Sequence, residues 1–115
     1  MRLADGHFVP VVFERKTIPD AFGTLTRGHD RFREEIARAK KSGYKIIILI
    51  EGSMEDVLRG LRQSRIQGHV ILKTLFTYCV KHGVWVWFAD GREEASRYII
   101  EYFAAEWRKR RDSEN

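Results

Sequence analysis

Residues Ile46-Ile47-Ile48-Leu49-Ile50 form an unbroken aliphatic run, entered by Tyr44-Lys45 and left by Glu51-Gly52. The run is far short of the ~20 residues that cross a bilayer. It has the length of a strand. A strand that is apolar at every position, rather than at alternate ones, must be covered on both faces, as in the middle of a sheet between helices. Gly83-Val84-Trp85-Val86-Trp87-Phe88 has the same character and predicts a second buried strand.

The stretches between these runs read as helices. Gly28-His29-Asp30 opens one over roughly Asp30 to Lys41, with Phe32, Ile36 and Ala39 inward at helical spacing and Gly43 as its stop. Ser53 is a good N-cap for a helix carrying Val57, Leu58 and Leu61. Val70, Leu72, Leu75, Phe76, Cys79 and Val80 predict another. Glu93 to Arg110 predicts a long final helix, with Ile99, Tyr102, Phe103 and Trp107 as its core stripe. Upstream, Leu3 to Phe8 and Val11 to Lys16 are rich in apolar and aromatic residues and flank Val9-Pro10, which predicts an antiparallel hairpin. Asp20 is expected to cap a short helix through Phe22 and Leu25. The order ββ-α-β-α-α-β-α predicts a mixed sheet with helices on its faces.

At 115 residues the chain is expected to form a single domain over 1–115. It is long enough to bury about two-thirds of its unfolded surface without disulfides or a metal clip. The hydrophobic fraction of 43% and charged fraction of 32% exclude the compositional signature of disorder. Cys79 is the one cysteine and is expected to be a small core residue in a reducing compartment. No signal-peptide stretch opens the chain, which predicts a protein that is intracellular: cytoplasmic if prokaryotic or phage, nuclear if eukaryotic. The net charge of +5 is compatible with a polyanion partner.

The chemistry concentrates between Asp5 and Asp20, where Asp5 is followed by Glu14-Arg15-Lys16 and then, three residues on, by Asp20. Side chains alternate along a strand, so Glu14 and Lys16 share a face and Arg15 points away with Phe13. On the predicted hairpin, Asp5 lies on the partner strand. Two carboxylates and an ammonium then converge on a spot rich in hard oxygen ligands, suited to Mg²⁺ or Mn²⁺. Taken without context, such a triplet reads first as a charged, solvated strand edge. No histidine has a Cys or His at zinc-ligand spacing, and no phosphate-cradling glycine loop or Ser/His/Asp arrangement is present.

This segment resembles the XPF-type nuclease domain, a branch of the restriction-endonuclease-like superfamily with a G-D-(n)-E-R-K-(3)-D signature. Here the signature stands as Ala4-Asp5, Glu14-Arg15-Lys16 and Asp20. Thr24-Leu25 with Gly28-His29-Asp30-Arg31-Phe32 is similar to the family's entry into its first long helix, and Ile47 to Gly52 to its following strand. The resemblance implies an α/β, restriction-endonuclease-like mixed β-sheet flanked by α-helices. It implies metal binding by Asp5 and Glu14, catalytic roles for Arg15 and Lys16, and an orienting role for Asp20 toward Arg15 or Lys16. Glu51 is implied as an auxiliary acid, with a plain helix-entry charge near Ser53 as the equal alternative. Three features depart from the family. Ala4 replaces the signature Gly. No tandem helix-hairpin-helix module follows. The usual strand and helix before the motif are missing, which leaves a reduced variant, a fragment or a domain completed by a partner.

The function so implied is metal-dependent hydrolysis of DNA phosphodiesters, in branched or flapped DNA. A catalytically silent DNA-binding or dimerisation module and another nuclease of the superfamily, such as a junction resolvase, are the rivals. Arg27 and Arg31 near the first long helix, and Arg59, Arg62 and Arg65 at a spacing of three, are candidate DNA contacts. Trp85 and Trp87 share a strand face and are expected in the core or at an interface. The resemblance also implies a homodimer, burying aromatic surface of the final helix such as Phe103 and Trp107.

Overall fold

The computed structural model describes residues 2–3 and 6–113. Three strands, β1 (Val11–Thr17), β2 (Lys45–Glu51) and β3 (Trp85–Ala89), form one sheet in the order β1-β2-β3. Between β1 and β2 run α1 (Ile18–Thr26) and α2 (His29–Lys41). Between β2 and β3 run α3 (Met54–Arg59) and α4 (Gly68–His82), and α5 (Arg92–Ser113) follows β3. The aliphatic run is the central strand, and Ile47 to Ile50 are all at most 1% exposed. Its even members, Ile46, Ile48 and Ile50, pack on Phe22 and Leu25 of α1, Phe32 and Ile36 of α2, and Ile71, Leu75 and Tyr78 of α4. Its odd members, Ile47 and Leu49, pack against α5 through Phe103 and Ala95. A helical layer on each face is what an all-apolar central strand requires.

Both pairings are parallel, with Val11 opposite Lys45 and Ile47 opposite Trp85 at the strand starts. The sheet of the described residues is therefore parallel rather than mixed, and the expected hairpin does not form. Arg2 and Phe8 make only an isolated antiparallel bridge. Gly6, at φ 85°, sits in a region closed to most side chains, and its N–H bonds the Leu3 carbonyl while Leu3 N–H bonds His7. Among the described residues β1 pairs with β2 alone.

Helix boundaries follow local chemistry. Helix α1 starts earlier than expected because the Thr17 hydroxyl, not Asp20, is its cap: it accepts from the Asp20 N–H at 3.2 Å. Pro19 in the first turn costs nothing, since no intrahelical bond needs its missing N–H. Ser53 caps α3 as expected, in a reciprocal box with Asp56. Gly83, left-handed at φ 67°, ends α4.

Ile99, Tyr102, Phe103 and Trp107 do form the inward stripe of α5. Phe103 is 7% exposed within a single chain, so it offers no dimer surface, and Trp107 is packed beside it. Trp87 is enclosed by Phe13, Tyr98 and Tyr102. Trp85 stays exposed at the sheet edge, with the Lys45 ammonium 2.9 Å from its ring centre. Cys79 is half-buried, and burial pushes its thiol above the ordinary range, keeping it protonated. Among the described residues, no helix is long and apolar enough to cross a membrane.

Candidate active site

Strand alternation splits the Glu14-Arg15-Lys16 triplet between the two faces of the sheet. Glu14 and Lys16 lie on the side covered by α1, α2 and α4, and Lys16 Nζ is 2.9 Å from Glu14 Oε1. The Lys16 stem borders a small apolar cavity with Ala21, Leu25, Phe32, Ile48, Ile50 and Leu75. Its ammonium sits 5.6 Å from the centre of the Phe32 ring. An amphipathic side chain held this way keeps its hydrocarbon in the core and aims its charge outward.

The charge faces a cleft of about 360 Å³ lined by Lys16, Gly23, Thr24, Gly28, Arg31, Phe32 and Glu35. The cleft exists because α1 ends at Thr26 and α2 starts at His29, leaving a short corner over the strand ends. Gly23 and Gly28 contribute no side chain to its wall. Arg31 stands exposed on the rim, so two cations flank a space that an anion can enter. The resemblance pointed to Gly28 through Phe32. The contribution of Phe32 as a seat for the Lys16 ammonium had no sequence signal beyond its inward helical position.

Arg15 faces the other way, toward α5. Its Nη2 donates to Glu51 Oε1 at 2.7 Å and to the Arg92 carbonyl at 3.2 Å. Glu51 thus lies on the sheet face opposite Glu14, joined to Arg15 rather than to Ser53. Asp20 is exposed in the first turn of α1, and neither the Arg15 nor the Lys16 ion pair includes it. The partners expected for Asp20 are already engaged by Glu51 and Glu14.

Asp5 lies outside the described residues. Among the described residues no group of three His, Cys, Asp or Glu side chains converges to hold a metal ion. Glu14 is a donor of the kind that Mg²⁺ and Mn²⁺ prefer, and it is the described member of the expected carboxylate pair.

Of the candidate DNA contacts, Arg31 is in the cleft and Arg27 follows α1 at its C-cap. Arg59, Arg62 and Arg65 do not share a helix face. Gly60, at φ 77°, ends α3 immediately after Arg59, which pairs with Asp56 at 3.3 Å. Arg62 and Arg65 are exposed in the connection between α3 and α4.

A search among curated proteins gives no match. The model of the ERCC4 domain matches residues 2–102, a span that takes in all three strands and the cleft, and the chain belongs to this family of XPF-type nuclease domains with a restriction-endonuclease-like fold.

Proposed function

We propose that the chain is a divalent-metal-dependent endonuclease that hydrolyses phosphodiesters of branched or flapped DNA. The observation that supports this most is the Glu14–Lys16 pair, 2.9 Å apart, beside a cleft with Arg31 on its rim. Lys16 and Arg31 line a concave surface that also carries Glu35, and Glu14 is paired to Lys16 beside it, an arrangement that suits a phosphodiester approached by water.

In this reading Glu14, with Asp5, holds Mg²⁺ or Mn²⁺, which when bound polarises the phosphate and lowers the pKa of water. Lys16 contacts a non-bridging oxygen of the scissile phosphate, where negative charge grows as water attacks phosphorus. Glu14 and the Phe32 ring hold the ammonium in place before substrate arrives, so little reorganisation is left for the reaction. Arg31 grips a neighbouring phosphate, and Arg27, Arg62 and Arg65 supply salt-dependent attraction to the backbone. Arg15 acts as a positioning residue from the far face of the sheet. If two copies pair, Trp85 and Ile100 are the large apolar side chains left exposed on β3 and α5 for the purpose.

The test is cleavage of flap, fork, junction and linear DNAs with Mg²⁺, Mn²⁺ or EDTA. Metal-dependent cutting of the structured DNAs is the expected result. Binding without cutting under every metal would assign the chain to the silent modules, and equal cutting of linear DNA would remove the preference for structure.

A further inference from the structure

Helix α4 carries apolar side chains outside the face used by the core. Ile71, Leu72, Leu75 and Tyr78 point inward, while Val70, Phe76 and Val80 are 42%, 55% and 86% exposed. Phe76 and Val80 are one turn apart and share a shallow depression of about 530 Å³ with Lys73, Thr77 and Lys81. A lone exposed apolar residue is ordinary. An aromatic and a branched aliphatic side chain at i and i+4, bracketed by cations, form a small apolar patch with charges at both ends.

The charge around this patch is one-sided. From Val57 to Ala89 the chain has no Asp or Glu, yet it carries Arg59, Arg62, Arg65, Lys73 and Lys81. Neither Lys73 nor Lys81 forms an ion pair among the described residues. A second copy of the chain is a poor occupant. An isologous contact would set each patch against itself, bringing lysines together with no carboxylate on either side. DNA would satisfy the lysines but leave Phe76 and Val80 against phosphate and water.

We propose that this face of α4 docks an amphipathic helix of a partner protein, with an apolar pair flanked by carboxylates. Lys73 and Lys81 are eight residues apart, ~12 Å along the axis at 1.5 Å per residue. The partner helix therefore carries its acidic side chains about two turns apart, on either side of two apolar residues that seat against Phe76 and Val80. This is the helix-on-groove mode of recognition, with apolar contact for affinity and charge for orientation. The patch is smaller than the ~800 Å² per side of a standard interface, so the contact is weak and reversible.

The test uses the full chain and a fluorescent synthetic helical peptide with a Leu pair one turn apart between two Glu residues two turns apart. A control peptide replaces both Glu by Lys. Anisotropy is expected to show micromolar binding of the acidic peptide and at least tenfold weaker binding of the basic one. Val80→Asp, and separately Lys73→Glu with Lys81→Glu, should each weaken the acidic peptide at least tenfold with an unchanged melting temperature. Lys16→Ala should bind it as the unaltered chain does, which separates this surface from the cleft. Equal binding of the two peptides, or no loss in the variants, overturns the proposal. So does a concentration-dependent dimer that Val80→Asp dissolves, or a loss of DNA binding in the lysine variants without any peptide binding.

Discussion

The Arg15 guanidinium lies 2.7 Å from Glu51 Oε1, on the face of the sheet opposite Glu14 and Lys16. With its second bond, to the Arg92 carbonyl, Arg15 ties together the end of β1, the last residue of β2 and the first residue of α5. The three successive charges of the triplet are therefore divided: Glu14 and Lys16 pair on one face of the sheet, with Lys16 lining the cleft, and Arg15 secures the strand from the other face.

Arg15→Ala and Glu51→Gln should accordingly act as one lesion. The Glu51 side chain is only 14% exposed, against 35% for Arg15, so losing the guanidinium leaves a largely covered carboxylate without its partner. A partly exposed pair of this kind contributes up to about 1 kcal/mol. In a double-mutant cycle followed by urea unfolding, the two substitutions are expected to couple by ~0.5–1 kcal/mol. Strict additivity would mean that the pair carries no joint stabilisation.

Lys16 is expected to matter to rate far more than to binding. In the proposed reaction its charge meets a phosphate oxygen whose negative charge increases in the transition state, so the loss would fall on turnover. Removing one such contact costs on the order of a hundredfold. Lys16→Ala should cut at about a hundredth of the unaltered rate under single-turnover conditions, with DNA affinity within a few-fold, because other Arg and Lys side chains supply that affinity. Cleavage at the full rate would remove Lys16 from the site.

The central strand, the helix order and the facing of Glu14 with Lys16 were legible in the sequence, because each rests on a pattern that burial enforces; β3, expected to be buried, is instead an edge of the sheet, with Trp85 43% exposed. Ile46 to Ile50 has only one way to hide both faces, and alternation along β1 follows from backbone geometry. The first strand's partner was not legible. Leu3 to Phe8 has strand-like composition, but Gly6 takes a positive φ, and only the tertiary structure shows that among the described residues β1 pairs with β2 alone. The outward face of α4 was hidden for a related reason: with apolar residues outside the core face as well, periodicity cannot say whether Leu75 or Phe76 points inward. The link from Arg15 to Glu51 crosses strands, and no local pattern carries it.

The cap of α3 predicts a pH dependence. A hydrogen bond from the Ser53 backbone N–H, then one with its hydroxyl, holds the Asp56 carboxyl below its ordinary 3.8, with a smaller contribution from Arg59. A group whose folded pKa is depressed stabilises the fold above its unfolded pKa, and this is lost as pH falls through the folded value. Asp56→Asn should therefore lower the melting temperature at neutral pH. The difference from the unaltered chain should shrink as pH falls below about 4. A gap that stays constant into strong acid would show that Asp56 acts without its charge.

Gly68 offers the sharpest test of how α3 and α4 meet. Its φ lies outside the left-handed region, so backbone conformation alone would permit alanine there. Replacing an exposed helical glycine by alanine ordinarily stabilises by about 0.5–1 kcal/mol. At this position a Cβ would stand 2.0 Å from the Val57 carbonyl oxygen and 2.6 Å from that of Leu58. Both obstacles are main chain, in a helix fixed at its start by the Ser53–Asp56 box and in its middle by the fully buried Val57. Neither can rotate aside as a side chain would, so the start of α4 must shift and strain its packing. Overpacking of this kind typically costs 1–3 kcal/mol, which outweighs the helix-propensity gain. Gly68→Ala should therefore lower the unfolding midpoint. Gly23→Ala in α1, where a Cβ would meet nothing within 4 Å, should leave it unchanged or raise it. Equal stability of the two variants in urea would mean that α3 and α4 do not approach as closely as described.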